Sequence, residues 1–353
     1  MLKKIFLAGA PIWLVLSLSA CSLGGGQANQ AVDAGIFKSV NKGETWQQTV
    51  LIPTVTGRPG SLGAVSVNTF VMDPSDHNGL YLGSVGQGLF YSYDGAASWQ
   101  MAAGLGNATI RSVAVDPQYK CTLYAAVGNR LLQSTDCSRS WSQVYYDSDP
   151  KIAVNTVAID YGQSAKIYIG TARGEVVRSQ DRGQSWATIA RLDNNIIRLL
   201  IDPVDSKIIF AVTEKKGIHR SRDGGQNWTD LSNGLKDFPD SRDFKDMVIS
   251  PAKPGLIYLA TGFGLIRSSD WGDTWESIEL IPPDKKASIN GIAVNPKDPQ
   301  EIYYVTNTAF LRSTDGGASW ITKRLPTSKN GWRLAIDPEN PNVVYLAVWF
   351  PVK

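Results

Sequence analysis

Four acidic residues in predicted loops are the side chains best suited to acid–base chemistry: Asp147, Asp149, Glu214 and Asp240. Two carboxyl groups about 5 to 10 Å apart would suit glycoside hydrolysis, but their spacing along the chain does not determine that separation. Acidic residues in loops are mostly solvated. We therefore expect a protein that is not an enzyme, with glycan hydrolysis as the alternative.

The scarcity of histidine and cysteine excludes further kinds of site. His77, His219 and the two cysteines downstream of Cys21 cannot supply a zinc finger or a multi-histidine metal site, so we expect neither a metal nor another cofactor. The 35 basic and 32 acidic residues give a formal charge of +3. That balance is unlike a surface that binds nucleic acid.

Cys21 follows a segment typical of exported bacterial proteins. Two lysines precede an apolar stretch, residues 5–18, which is shorter than the ~20 residues of a membrane-spanning helix. The sequence Leu18-Ser19-Ala20-Cys21 resembles a lipobox, the cleavage site of bacterial lipoproteins. The resemblance implies that residues 1–20 are a removed signal peptide and that Cys21 is lipidated. An ordinary secretory signal is the alternative.

Residues 21–33 are predicted to be the lipidated cysteine and a short flexible tether. The lipid would anchor the protein to a membrane outside the cytoplasm, because several acyl chains give stable attachment. Ser22 follows the lipidated position and is not the Asp that resembles an inner-membrane retention signal. An outer-membrane or cell-surface location is therefore favoured, and a periplasmic side remains open.

One octad, Ser-x-Asp-x-Gly-x-x-Trp, recurs seven times along the rest of the chain. Successive octad tryptophans are 53, 42, 45, 42, 47 and 45 residues apart. The third position of the octad holds Asn41, Asp94, Asp136, Asp181, Asp223, Asp270 and Asp315. The last position holds Trp46, Trp99, Trp141, Trp186, Trp228, Trp275 and Trp320. A repeat of this period indicates one supersecondary unit per copy.

The residue types in the octad predict a tight structural turn rather than a ligand site. The Asp accepts backbone N–H groups, the Gly adopts a positive φ, and the Trp packs beside the turn. Asn41, Ala96 and Ser138 depart from the pattern and are expected to weaken their turns somewhat.

Apolar strands that end in Asp-Pro-like turns alternate with the octads and complete four short strands per ~45 residues, the period of a propeller blade. The first octad is preceded only by a third strand, and the chain ends with a first and a second strand but no octad. We therefore predict an all-β fold over residues 34–353, a seven-bladed β-propeller with four antiparallel strands per blade. The two termini share one blade, and the closed ring is expected to be a monomer.

The octad resembles the Asp-box, or bacterial neuraminidase repeat. Together with the Asp-Pro turns, it is similar to seven-bladed propellers of the sortilin type, of xyloglucan-hydrolysing glycosidases and of photosystem II assembly factors. The xyloglucan-type enzymes use two facing propellers, whereas this chain has room for one. The assembly-factor resemblance is the best in architecture and implies an assembly or stability role for a membrane complex as an alternative function.

Long loops between blades, and the starts of the innermost strands, make one face the candidate binding face. Function commonly resides in such loops on a rigid scaffold. The candidate residues on this face are Arg58, Arg111, Arg198, Arg242, Lys245, Trp332 and Arg333. This partly basic surface predicts a protein or glycan partner, with a solvated rim that has no dedicated ligand as the alternative.

Cys121 and Cys137 flank a predicted hairpin that turns near Gly128 and Asn129. Residues whose numbers sum to about 258 face each other across that hairpin, and the two cysteines meet this condition. An exported protein can oxidise them. We therefore predict a disulfide, with two free buried thiols as the alternative.

Overall fold

Short alternating runs of apolar and polar residues, each ended by a Gly- or Asp-containing turn, form the strands of this protein. The computed structural model describes residues 33–55, 57–281 and 288–352. The predicted signal peptide, Cys21 and most of the tether lie outside the described residues. Asp33, the last tether residue, accepts the backbone N–H of Ser328 at 2.6 Å and thereby joins the folded part.

The strands of the first half, in chain order, are β1 (Ile36–Ser39), β2 (Gln47–Gln48), β3 (Leu51–Ile52), β4 (Gly60–Ser61), β5 (Val67–Asp73), β6 (Asp76–Ser84), β7 (Leu89–Ser92), β8 (Gln100–Met101), β9 (Ile110–Val115), β10 (Leu123–Val127), β11 (Arg130–Ser134), β12 (Ser142–Tyr146), β13 (Val154–Ile159), β14 (Ile167–Thr171), β15 (Glu175–Ser179) and β16 (Ala187–Arg191).

Those of the second half are β17 (Ile196–Ile201), β18 (Ile209–Thr213), β19 (Gly217–Ser221), β20 (Thr229–Asp230), β21 (Phe244–Ile249), β22 (Ile257–Thr261), β23 (Leu265–Ser268), β24 (Glu276–Ile278), β25 (Gly291–Asn295), β26 (Asp298–Val305), β27 (Ala309–Ser313), β28 (Ile321–Arg324), β29 (Asn330–Ile336) and β30 (Val344–Trp349). Two short 3₁₀ helices, Leu62–Ala64 and Ser232–Leu235, lie in loops between blades. Among the described residues, no helix has the length and apolarity needed to cross a membrane.

The strands form seven four-stranded antiparallel sheets and one small hairpin, β3–β4. Blades 1 to 6 are β5–β8, β9–β12, β13–β16, β17–β20, β21–β24 and β25–β28, each numbered from the centre outward. Blade 7 has the order β29-β30-β1-β2. The predicted seven-bladed propeller is therefore confirmed.

Blade 7 joins the two ends of the chain. Ile36 of β1 pairs with Ala347 of β30, and Ser39 pairs with Val344. The Ser66 hydroxyl, at the start of blade 1, donates to the carbonyl of Phe350 at 2.7 Å. Because β30 is paired on both sides, the predicted closure by a shared blade is confirmed and no edge is left at the joint.

The core lies between adjacent blades. The second strand of six blades carries a buried tyrosine, and that of blade 4 carries Phe210. The Tyr168 hydroxyl donates to the carbonyl of Gly224 in the next octad turn at 3.3 Å, and Tyr345 does the same to Gly95 at 3.3 Å. These side chains both fill the interface and link the blades.

Each octad is a hydrogen-bonded turn, as the fourth copy, the first that matches the pattern in full, illustrates. The Ser179 hydroxyl donates to the Asp181 carboxylate at 2.7 Å and accepts the Gly183 N–H at 2.8 Å. Asp181 also accepts the Ser185 N–H at 2.9 Å. Hydrogen bonds from the hydroxyl at the seventh position lower the pKa of Asp136, Asp181 and Asp315 to about 2.

The departures from the octad pattern adopt the same turn. Ala96 and Ser138, at the glycine position, have φ of 70° and 68°, a region that a side chain disfavours. Asn41 still accepts the N–H of Thr45 at 2.9 Å. The weakening expected from these three residues stays a prediction.

Several octad tryptophans attach each blade to the one before it. The indole N–H groups of Trp99, Trp186 and Trp320 donate to the carbonyls of Thr49, Val144 and Glu279 at 2.8–2.9 Å. These three acceptors lie on or just beyond the outermost strand of the preceding blade. The indole N–H groups of Trp46, Trp141 and Trp275 are buried without a hydrogen-bond partner.

Cys121 and Cys137 form a disulfide between the turn that precedes the second strand of blade 2 and the octad turn of the same blade. Their Cα atoms are 4.0 Å apart, and the Cys137 N–H donates to the Cys121 carbonyl at 3.2 Å. The bond ties together two residues that both have positive φ, 70° and 60°.

Candidate functional site

The innermost strands surround a central cavity of about 580 Å³. Aligning the blades on the Asp, Asn or Ser of the Asp-Pro-like turn places side chains in successive rings along this channel. The residues four positions before that turn residue form what we call the polar ring: Thr69, Ser112, Thr156, Arg198, Asp246, Gly291 and Arg333. This ring lies toward the face that carries the loops between blades.

A β-bulge precedes the polar ring in six blades. The register shifts, for example, between Val154 and Thr156, between Ile196 and Arg198, and between Phe244 and Asp246. A bulge inserts one unpaired residue and re-aims the side chains beside it. The bulges thus set which side chains of these strands point into the channel.

Asp246 occupies a place that small hydroxyl residues fill in three other blades. Ser112 accepts the N–H of Val157 in the next blade at 3.2 Å, and Thr156 accepts that of Leu199 at 3.1 Å. Asp246 accepts the N–H of Ile292 at 3.2 Å in the same way. The carboxylate is only 4% exposed, so a negative charge is held inside the channel wall by an ordinary contact between blades.

Two arginines approach this carboxylate from different blades. The Arg333 Nη1 atom lies 3.5 Å from Asp246 Oδ2, and the Arg198 Nη2 atom lies 3.9 Å from Oδ1. Asp246 Oδ1 is buried and accepts no hydrogen bond. Two positive charges against one negative charge leave the cluster with a net charge of about +1.

Arg333 is fixed by several contacts. Its Nη1 donates to the carbonyl of Asn290 at 3.3 Å, and its guanidinium lies 4.6 Å from the ring centre of Trp332. Burial lowers the pKa of Arg333. Gly291 lies beside it in the ring, and a Cβ at that position would collide with the carbonyl of Trp332. The missing side chain thus lets blade 7 approach blade 6.

Arg198, by contrast, makes no hydrogen bond to any described residue, and its side chain is 36% exposed. A guanidinium group carries five N–H donors in a planar fork that matches a carboxylate. Arg198 is therefore the side chain of the cluster that is free to bind an anion.

The deeper part of the channel is apolar. The residues two positions before the turn residue form the apolar ring: Val71, Ala114, Ala158, Leu200, Val248, Ala293 and Ala335. The residues one position after it form the proline ring: Pro74, Pro117, Tyr161, Pro203, Pro251, Pro296 and Pro338. Tyr161 replaces proline in one blade.

The other predicted binding residues are dispersed. Arg58 is exposed between β3 and β4, and Arg111 is exposed at the start of β9. Lys245 forms an ion pair with Asp243 at 2.9 Å, while Arg242 lines a separate pocket of about 370 Å³. No hydrogen bond or ion pair between described residues joins these four to the Arg198–Asp246–Arg333 cluster.

Trp332 lies next to the cluster and closes the ring of blades. Its indole N–H donates to the carbonyl of Asn68 in blade 1 at 3.1 Å. Its ring centre is 5.8 Å from that of Trp349, with the planes inclined by 34°. The pair forms an aromatic surface, partly buried, at the joint between blades 7 and 1.

Two of the acidic residues considered for catalysis, Asp147 and Glu214, make structural contacts. Asp147 is buried, accepts the Asp149 N–H at 2.9 Å and pairs with Arg173 at 3.2 Å. Glu214 accepts a hydrogen bond from the Asn195 amide at 3.3 Å. In the described part of the chain, no group of three or more His, Cys, Asp or Glu residues is arranged to hold a metal.

Asp246 is the residue that sequence reasoning missed. Aligning the blades on the Asp-Pro-like turns places it in register with Ser112 and Thr156. That register would have revealed a carboxylate at a position that small hydroxyl residues occupy in three other blades. It would also have shown Arg198 and Arg333 at the same level.

A family model and a curated relative each match part of this chain. A family model described as the DUF6242 beta propeller domain matches residues 98–254. Xyloglucanase Xgh74A of Acetivibrio thermocellus is 26% identical over 193 residues, which are 44% of this chain and 22% of the relative. The chain thus spans less than a quarter of the length of the curated relative.

Two solved structures have the same architecture. The GH74 xyloglucanase of Xanthomonas campestris superposes with a TM-score of 0.64 at 19% identity, over 81% of this chain and 51% of the enzyme. A structure of YCF48 bound to D1 peptide gives a TM-score of 0.62 at 17% identity, over 85% of this chain and 95% of the other. The predicted resemblance to propellers of these two kinds is confirmed for the fold.

Proposed function

We propose that this chain is a non-enzymatic, lipid-anchored binding propeller that presents its loop face to a protein or glycan partner outside the cytoplasm. The observation that carries the proposal is the Arg198 guanidinium, which has no hydrogen bond to any described residue and shares one carboxylate with Arg333. A preformed, partly exposed donor on a rigid strand suits recognition because little ordering accompanies binding.

The net positive charge at this end of the channel indicates which kind of partner would bind. The excess positive charge of the Arg198–Asp246–Arg333 cluster favours a group that carries carboxylates, such as an acidic protein segment or an acidic glycan. The Trp332–Trp349 pair beside it offers aromatic surface for a side chain or a sugar ring. Arginine and tryptophan are also the residue types most often responsible for binding energy at interfaces.

The relatives suggest two alternatives. YCF48 is a photosystem II assembly factor and has been solved with a D1 peptide, so an assembly role at a membrane complex is the second reading. Glycan hydrolysis is the third, because the xyloglucanases share the fold. It is less favoured, since Asp147 and Glu214 already serve structural contacts.

Capture from membranes would test the proposal. We would crosslink the lipidated protein in its native membranes and compare the wild type with Arg198→Gln and with Arg139→Gln, an exposed arginine in an octad turn on the opposite face. The expected result is one partner recovered with the wild type and with Arg139→Gln but lost with Arg198→Gln. Equal recovery from all three would refute the proposed site. Release of sugars in a glycan screen would favour the hydrolase reading.

A further inference from the structure

The channel changes chemical character along its length. The polar ring lies two residues from the apolar ring and five residues from the proline ring along each inner strand. At a strand rise of ~3.3 Å per residue, these separations are about 7 and 17 Å. One end of the cavity thus carries arginine, and the side chains of the other two rings are apolar apart from Tyr161.

The side chains of the apolar ring provide hydrocarbon surface, being Val, Ala and Leu. The innermost strands that carry them are edge strands, paired within their blades on one side only. A peptide inserted here must find a partner for each buried N–H and C=O group along these strand edges, because an unpaired buried group is costly. An alkyl chain has no such requirement and packs directly against the hydrocarbon side chains.

We propose that the channel binds one amphipathic monocarboxylate of the fatty-acid class. The carboxylate would accept hydrogen bonds from Arg198, whose donors are unused, and the alkyl chain would extend along Leu200 and Val248 toward the proline ring. The cavity volume of about 580 Å³ falls within the range of small-ligand sites, roughly 300–1,000 Å³. Transfer of the chain from water to this surface supplies affinity.

This site goes beyond the proposed partner binding but shares Arg198 with it. The two are separable because Leu200 lies about 7 Å deeper along its strand than Arg198, below the mouth that a macromolecular partner would reach. Leu200→Gln should therefore impair fatty-acid binding and leave partner capture intact. Arg198→Gln should impair both.

Titration calorimetry with sodium decanoate, below its micelle concentration, would test the site. Butyrate and decanol are the probes that lack the chain length or the charge. We expect one decanoate per wild-type chain, with butyrate and decanol at least about tenfold weaker, since a hydrogen bond to a charged group contributes ~1.5–3 kcal/mol. Arg198→Gln and Leu200→Gln should each weaken decanoate about tenfold or more, and Arg139→Gln should not.

The thermal unfolding midpoint of each variant is the control for folding. If Leu200→Gln lowers this midpoint, the titration is repeated with Val248→Thr, a smaller change in the apolar ring. The absence of decanoate binding to the wild type would overturn the inference, as would binding that neither Arg198→Gln nor the ring variants weaken. Tighter binding of a short apolar peptide than of decanoate would also overturn it, in favour of a peptide occupant. Loss of partner capture with intact decanoate binding would instead count against the proposed function alone.

Discussion

Arg198 and Asp246 face each other at 3.9 Å in the channel, close enough to attract but without a hydrogen bond. The carboxylate uses its other oxygen to accept the Ile292 N–H, and the guanidinium retains all of its donors. Asp246 therefore keeps the Arg198 guanidinium in position while its N–H donors stay available to a ligand. This arrangement suits a ligand whose carboxylate replaces water around Arg198.

Asp246→Asn should strengthen binding of anions at the mouth. Asparagine preserves an acceptor for the Ile292 N–H and removes the negative charge that offsets the arginines. We expect the affinity for an oligoglutamate peptide, measured by fluorescence anisotropy at low salt, to rise about fivefold, the equivalent of ~1 kcal/mol for a partly exposed charge pair. The gain should shrink as salt is added. Unchanged affinity in a folded variant would show that the cluster does not bind the anion.

Arg220 should contribute strongly to stability. It is 6% exposed, and its Nη1 donates to the Trp271 carbonyl at 2.7 Å, a link from blade 4 to the octad turn of blade 5. Blade 4 has Phe210 where blades 2, 3, 5 and 7 have a tyrosine that donates to the next blade, so the arginine supplies the missing donor. Arg220→Met should lower the free energy of unfolding by ~1–3 kcal/mol, because it leaves a carbonyl without its donor.

The matched control for Arg220 is Arg222→Met. Arg222 binds the same Asp273 carboxylate but is half exposed, so its loss should cost less than ~1 kcal/mol. Urea unfolding of both variants gives the comparison. Equal losses would show that the contact with Trp271 adds nothing beyond a surface ion pair.

The Cys121–Cys137 bond should stabilise the folded protein by ~3 kcal/mol, because it closes a loop with a sequence separation of 16. The double variant Cys121→Ser, Cys137→Ser and the reduced wild type should lose similar amounts in urea unfolding. Mass spectrometry should find neither thiol alkylated before reduction. Alkylation of both in the untreated protein would exclude the bond.

Acid should destabilise the propeller through the octad carboxylates. The pKa of Asp136, Asp181 and Asp315 is about 2 in the folded protein, below the ordinary value of 3.8, so protonation favours the unfolded chain. The stability they provide is complete above pH 3.8 and is lost as the pH falls through about 2. The unfolding midpoint should fall across this window.

A variant with all three of these aspartates changed to asparagine should lose less stability in acid than the wild type. Asn41 in the first octad already accepts the same two hydrogen bonds, from Ser39 and Thr45, so the turns should still form. Equal acid sensitivity in both proteins would mean that other groups determine it.

The repeat itself made the blade count and the closure predictable. Each octad marks one blade through local hydrogen bonds between residues at most four positions apart, and local patterns are readable from sequence. The unmatched strands at the two ends then required a shared blade. Arg198, Arg333 and Trp332 could also be assigned to one mouth, because each lies near the start of an innermost strand.

The charge cluster was not predictable from the same reasoning. Arg198, Asp246 and Arg333 come from blades 4, 5 and 7 and meet only because Gly291 of blade 6 lacks a side chain. The β-bulges before Arg198, Asp246 and Arg333 change which side chains enter the channel. Simple strand alternation does not reveal such a shift. Arg58 and Arg242 were grouped with the cluster because the position of a residue in a loop does not indicate how far it lies from residues of other blades.

Site-specific photocrosslinking in native membranes would show whether a partner binds the loop face through Arg198. A photoreactive amino acid would replace Arg111, at the rim of the loop face, or Arg139, on the opposite face, each with and without Arg198→Gln. We expect a partner adduct from position 111 alone, and we expect it to disappear when Arg198 is also changed. An adduct from position 139, or one from position 111 that persists without Arg198, would contradict this expectation.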